Sequence, residues 1–261
     1  MKIHRIYAIL LRYTYLFRHS LDRLSDAFYW PTIDMLMWGL TSLYFQRYMP
    51  NSSMVIKMIM SGLLLWLIVW RGQYEITVNL LEDLWNKNLI NIFVSPLKFS
   101  EWVVSFFIIG LAKAVISLTF AATLAFFLYK FNFMIYGFYL LPFFFLLIVT
   151  GWWVGCFVSG FILRYGTRVQ TLAWTVVALI SPFSAIYYPL SILPYWAQVV
   201  AKFVPTSYIF EGAREVLTKG HIDISKILMS AVLNLVYLIL SLVYLKMSFK
   251  KILNKGLVKL Y

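Results

Sequence analysis

The sequence predicts an all-α integral membrane protein: six transmembrane helices, an N-terminal amphipathic interfacial helix, and a re-entrant outer segment between helices 5 and 6. Three observations carry this. Of 261 residues, 62% are hydrophobic and only 13% charged, against about 45–50% and about 25% in a soluble domain. Mean hydropathy is +0.80. The apolar residues cluster in runs near the roughly 20 residues that a helix needs to cross about 30 Å of hydrocarbon. Soluble globules, disordered chains and disulfide scaffolds are excluded. The single cysteine, Cys156, lies in an apolar run and permits no intrachain disulfide.

The whole chain, 1–261, reads as one transmembrane domain. Residues 1–26 are broken throughout by charge, so no signal peptide is expected. Ile3, Ile6, Leu10, Tyr13, Phe17, Leu21 and Leu24 recur at steps of three and four, while Arg5, Arg12, His19 and Arg23 stripe another face. That pattern predicts a helix lying in the interface with its cations toward headgroups. The expected spans are 27–45, 51–70, 102–129, 133–163, 169–188 and 227–245.

Between the second and third spans, the amphipathic stretch at about 75–97 predicts a separate surface helix. Leu81, Leu84, Trp85, Asn88, Leu89 and Ile92 share one face; Glu82, Asp83, Asn86 and Lys87 share another. Asp83 and Lys87 stand at i,i+4, a pairing distance on a helix. Ser95-Pro96 ends it.

The run 131–163 is too long for one straight crossing, at roughly 50 Å. Pro142 predicts a kink, and Gly151, Gly155 and Ser159 at steps of four predict close helix packing. Packing within the subunit is favoured over a dimer contact. The run 169–201 contains Pro182, Pro189 and Pro194, with Pro205 beyond. It cannot be one helix. The chain is expected to break near Tyr188-Pro189 and to dip into the outer leaflet as short pieces over 187–206. A surface helix is expected at 208–217, where Glu211 and Arg214 at i,i+3 can pair on the helix or tether it to a neighbour. The outer segment thus covers 189–224, the last span 225–247, and a basic tail 248–261.

Net charge is +13, from 23 Lys/Arg against 10 Asp/Glu. The basic residues flank apolar runs, which points to membrane topology rather than nucleic acid. With both termini inside, inner segments hold 15 Lys/Arg and outer segments 7. Both termini are therefore expected in the cytoplasm, with the chain multi-pass in the cell membrane. Three charges, Asp34, Lys57 and Lys113, fall within or near the ends of spans; Asp34 and Lys113 are the notable ones and are functional candidates by default. Asp34 is close enough to the inner face to form a structural ion pair with Arg18 or Arg23, the favoured reading; Lys113 has no assigned role.

Catalytic signatures are missing. There is no G-x-x-x-x-G-K-[ST] phosphate loop, no H-E-x-x-H, no G-x-S-x-G and no Cys/His metal cluster. The sequence predicts no catalytic residues, no metal site and no cofactor in this chain.

The order of features resembles the ABC-2 type transporter permeases, membrane subunits of ATP-driven exporters for drugs, lipids, teichoic acids, lipo-oligosaccharides and polysaccharides. An amphipathic N-terminal helix leads into six spans. Leu80-Leu81-Glu82-Asp83-Leu84-Trp85-Asn86-Lys87-Asn88-Leu89, then Val94-Ser95-Pro96-Leu97, is similar to the segment that holds the family's coupling helix; Asn88 stands where glycine is frequent. Ser181-Pro182, Tyr187-Tyr188-Pro189, Leu193-Pro194, Pro205-Thr206-Ser207-Tyr208 and Glu211-Gly212-Ala213-Arg214 resemble its outer segment, with Val204 replacing a polar residue before Pro205. Residues 23–39 look closer to drug and lipo-oligosaccharide exporters than to O-antigen channels.

The resemblance implies a half-transporter permease that forms a homodimer among membrane lipids and binds no nucleic acid. Two copies of a separate ATPase would bind ATP and Mg. Glu82, Asp83, Asn86, Lys87 and Asn88 would meet that ATPase; Pro182, Tyr187, Tyr188, Pro189, Pro194, Pro205, Glu211 and Arg214 would form an outer gate. The rival readings are an ion-coupled secondary transporter and a membrane-embedded lipid-modifying enzyme. The first wants internal repeats and midplane carboxylates, the second clustered His, Asp or Glu, and the sequence supplies neither.

Overall fold

The axis of the fold is α3, Ser52–Trp85, a helix of 34 residues and so about 50 Å long. The structure, a computed structural model, describes residues 1–48 and 52–255. The expected start of the second span at Asn51 and the end of the basic tail, 256–261, lie outside the described residues. No strand occurs among the described residues. Before α3 come α1 (Ile3–His19) and α2 (Leu21–Tyr48); after it come α4 (Leu89–Val94), α5 (Phe99–Tyr129), α6 (Leu140–Tyr165), α7 (Leu172–Ile180), α8 (Tyr195–Ala201), α9 (Pro205–Lys219) and α10 (Ile224–Lys255).

Four helical stretches are long and apolar enough to cross a membrane: Met54–Trp85, Phe99–Tyr129, Phe133–Val169 and Ile224–Leu253. The other two expected spans are weaker. α2 has 28 residues but carries Arg23, Asp26, Asp34 and Arg47. α7 and the 3₁₀ turn after it, Leu172–Ser184, reach only about 20 Å.

The Lys2 amide donates to Glu101 Oε1 at 2.7 Å, and the Phe249 ring lies 5.2 Å from that of Phe99. Residues 2 and 249 and the start of α5 therefore share one end of the bundle, the terminal end. The core of α3 (Met60, Leu64, Leu65, Ile68) is fully buried.

α3 meets α6 along a seam of glycines. A Cβ on Gly155 would lie 2.9 Å from Ile76 Cβ and 3.1 Å from the Gln73 oxygen, and Gly151 sits tighter still. Only glycine permits such backbone approach. The small-residue stripe thus packs within the chain, as its spacing suggests.

Several boundaries differ from expectation. The first helix ends at His19, not 26, because Ser20 turns extended (φ −108°, ψ 111°). α2 runs unbroken through Pro31. Proline frees the carbonyl four residues back, and that oxygen, on Ala27, accepts from Ser117 Oγ of α5 at 3.2 Å. The first seven residues of the expected span 133–163 are not α-helical: Phe133–Tyr139 is a 3₁₀ segment broken at Gly137 (φ 52°, ψ −128°). Pro142 makes no kink. It falls in the first turn of α6, where its missing N–H would have had no partner.

The separate surface helix at 75–97 is also not formed. Residues 75–85 continue α3, because Leu80, Leu81 and Leu84 are buried against the rest of the chain. Lys87, with φ 54°, ends the turn, and only the short α4 comes after it. The amphipathic helix near 208–217 is the longer α9, and it is no surface helix: Ile209, Phe210, Ala213 and Val216 are buried.

Candidate functional site

The terminal end is held by five ion pairs that tie α1 and α2 to α3 and α5, and α3 to α5. Charges in a low-dielectric setting are costly unless paired, and here each acidic group finds a cation from another helix. Arg12 pairs with Asp83, which also accepts from Tyr13 Oη at 2.6 Å and Asn88 Nδ2 at 3.3 Å. Arg23 Nε donates to Glu82 Oε1 at 3.0 Å. Arg71 Nη1 meets Asp26 Oδ2 at 2.7 Å, and Lys113 Nζ meets Glu75 Oε2 at 2.6 Å. Arg5 lies 3.6 Å from Glu101, whose other contacts are the amides of Lys2 at 2.7 Å and Lys98 at 3.0 Å. Burial, then the negative charge of Asp83, raises the pKa of the Tyr13 phenol well above its usual value.

Three expectations change. The α1 cations Arg5 and Arg12, with Arg23 of α2, turn toward carboxylates of this chain, not toward headgroups. Asp83 is 2% exposed, so it is not part of an open polar face. It also does not pair with Lys87, because the helix ends before an i,i+4 geometry can form. What remains open at this end is the turn itself: Trp85, Asn86 and Lys87 are exposed, and Asn88 is half-buried. Trp85 Nε1 reaches Gln170 Oε1 at 3.1 Å, which joins the turn to the segment before α7.

Lys113, left without a role by the sequence, is the buried partner of Glu75, with its ammonium 4.6 Å from the centre of the Phe17 ring. Asp34 differs in the opposite sense. Arg23 is taken by Glu82, and no hydrogen bond or ion pair reaches Asp34 among the described residues. Its side chain opens instead into a cavity of about 480 Å³ between α2, α3, α5 and α7.

Sequence reasoning misses Asp26, Arg71, Glu75 and Glu101. One signal could find two of them, Arg71 and Glu75: with Asn79, Glu82 and Asp83 they recur at steps of four, four, three and one, a polar stripe of helical period. A charge at the end of an apolar run hides it, because the same residues read equally well as loop polarity.

At the opposite end the proline-broken segment forms a compact knot. Pro182 opens the 3₁₀ turn Ser181–Ser184, and Ala185 is left-handed with φ 58°. Tyr188 Oη donates to the Pro182 oxygen at 2.7 Å. Pro189 precedes the 3₁₀ turn Leu190–Ile192, Pro194 precedes α8, and Pro205 begins α9. Glu211 accepts from the Leu190 amide at 2.8 Å and pairs with Arg214 at 3.1 Å. Arg214 in turn donates to the Ala185 carbonyl. The pair thus forms on α9 and also tethers the turns before α8. Tyr187 points elsewhere: its ring stacks on Trp38 of α2 at 4.6 Å and 16°, so it lines the Asp34 cavity.

No group of three or more His, Cys, Asp or Glu is arranged to hold a metal among the described residues. No protein-family model matches the chain, and no curated protein is significantly similar to it.

Proposed function

We propose that the chain is the permease subunit of an ATP-binding-cassette exporter of the ABC-2 type. It moves a lipid-linked, glycan or hydrophobic drug-like substrate out of the cytoplasm or inner leaflet. A separate ATPase, which binds ATP and Mg, supplies the energy. Two copies of the permease pair with two ATPases.

The observation that carries this reading is the continuity of α3. One helix runs from the cavity wall at Leu63, Trp66 and Leu67 to the open turn at 85–87. A push on that turn is delivered to the cavity with no hinge between. The ion pairs from α1 and α2 keep the lever in register.

With the four apolar stretches, α2 and the 170–188 segment would complete six crossings. Both ends are then cytoplasmic in the cell membrane, in line with the Lys/Arg bias. The apolar knot at 181–204 re-enters the outer leaflet, where broken backbone is tolerated against protein.

Because Asp83 is buried, reversing it would damage the fold and not report on coupling. The exposed turn is the fair target. The permease purified with the ATPase encoded beside its gene should show substrate-stimulated ATP turnover. Asn86→Ala with Lys87→Glu, both exposed, should lower co-purification or stimulation at least threefold while the melting temperature stays unchanged. Equal stimulation by the double variant, or robust ATP turnover by the chain alone, refutes the reading.

A second reading, an ion-coupled secondary transporter, is favoured by the unpartnered Asp34. Gradient-dependent, ATP-independent uptake into vesicles holding this chain alone would select it.

A further inference from the structure

We propose that the cavity between α2, α3, α5 and α7 binds a hydrophobic organic monocation, a lipophilic amine or quaternary onium, with Asp34 as its counter-ion. The proposal deepens the transport reading and rests on it only for the steps after binding.

The first ground is the wall. Trp30, Trp66, Trp70 and Trp174 line the cavity together with Tyr74 and Tyr187. Of ten tryptophans in the chain, four face this one space. Tyr187 is held in place by its stack on Trp38. Aromatic faces attract cations, most strongly when water is excluded and most of all for tryptophan.

The second ground is charge. Two carboxylates and one cation line the cavity: Asp26, Asp34 and Arg71. Arg71 is engaged by Asp26 at 2.7 Å and donates to the Asp26 carbonyl as well. That pair is internally neutral, which leaves one net negative charge, on Asp34. The chain as a whole carries +13, and its other acidic groups on α3 and α5 are matched by a cation. A carboxylate left open to an aromatic chamber is the exception, and it sets the sign of the ligand. An anion would meet Asp34 with no free cation to offset it.

The third ground is size. About 480 Å³ falls in the range of roughly 300–1,000 Å³ typical of small-molecule sites. It is too large for a bare metal ion, and one carboxylate among rings supplies too few oxygen ligands for one.

The test uses two probes of one shape and opposite charge, tetraphenylphosphonium and tetraphenylborate. Each is measured by equilibrium dialysis against the full chain in phosphatidylcholine nanodiscs, with empty nanodiscs subtracted. The wild type should take up the phosphonium saturably at one per chain and the borate only as lipid does. Asp34→Asn should weaken phosphonium binding about tenfold or more, the effect of losing one buried charge partner. It should leave the melting temperature intact, because Asp34 makes no hydrogen bond or ion pair among the described residues. Asp34→Glu should retain binding, and Trp174→Leu should weaken it. Saturable uptake of both probes alike, or unchanged phosphonium affinity in Asp34→Asn, would overturn the proposal. Binding without any ATPase stimulation would keep this site and count against the exporter reading alone.

Discussion

Replacing Gly151 by alanine tests the seam on which the fold depends. A Cβ there would lie 2.6 Å from the Val69 carbonyl oxygen, 2.9 Å from the Gln73 nitrogen and 3.0 Å from Gly72 Cα. All are backbone atoms of α3, so no rotamer change relieves them. The helices must part by roughly 0.8 Å to reach an ordinary 3.4 Å contact, and such a gap forfeits about a quarter to a half of the dispersion energy along it. Overpacking costs about 1–3 kcal/mol, and rigid backbone on both sides places this case at the upper end. Better helix propensity returns about 0.8–1 kcal/mol. The net loss is about 2 kcal/mol, or about 4–8 °C in melting temperature for a chain this size. Thermal unfolding in detergent, followed by tryptophan fluorescence, reads it. Gly110→Ala is the control: its nearest neighbour, the Gly72 oxygen, stands at 3.5 Å, so its midpoint should hold or rise. The Gly151 effect should not vary on dilution, because the seam lies within one chain. A Gly151→Ala midpoint at or above wild type, or an equal fall for Gly110→Ala, refutes the reasoning.

The ion pairs yield two further expected outcomes. Lys113→Met strands Glu75, whose side chain is only 4% exposed; it should cost about 3–5 kcal/mol, and Glu75→Gln in the same chain should recover most of that, whereas additive losses would mean the two do not interact. Burial works to raise the pKa of Glu215, but hydrogen bonds from Lys226 and Lys219 outweigh it and hold the carboxyl below its usual range. A folded pKa below the unfolded one gives stability that is present above about pH 4.3 and lost as pH falls through the folded value. The melting-temperature gap between wild type and Glu215→Gln should therefore be open at pH 7 and should close only as acidification passes below the lowered folded pKa; a constant gap would remove the charge from the account.

Much of the helix pattern is legible in the sequence because burial of apolar surface dominates, and long apolar runs mark α5, α6 and α10 without tertiary knowledge, with Lys113 the one charge deep within the run of α5. Prolines mark the knot at 181–205 for an equally local reason: each removes a donor. The glycine stripe on α6 is legible as a contact, though not its partner. Charge misleads wherever pairing is tertiary. Arg71 ends an apolar run, so sequence reasoning closes the second span at 70; yet Arg71 is 1% exposed, neutralised by Asp26 from α2. The i,i+4 rule links Asp83 to Lys87 on the premise that the helix continues, and a left-handed Lys87 breaks that premise. The cation stripe of α1 reads as a headgroup contact because periodicity defines a face without naming what the face meets. Asp34 reads as paired for the same reason: no sequence rule says that Glu82 takes Arg23 first.

These two kinds of contact divide α3 into unlike faces. Toward α6 it presents backbone against backbone, and packed cores of that kind resist sliding because every atom has a close neighbour. Toward α1, α2 and α5 it presents Arg71, Glu75, Glu82 and Asp83, held by single side chains that shift by rotamer. On the proposed reading, a force on the turn at 85–87 would move α3 and α6 together, with the displacement taken up on the ion-paired side. The Asp34 cavity lies on that side, with walls from α2 and α3. Its volume and the distance from Asp34 to the tryptophans of α3 are thus the quantities that such a motion alters first.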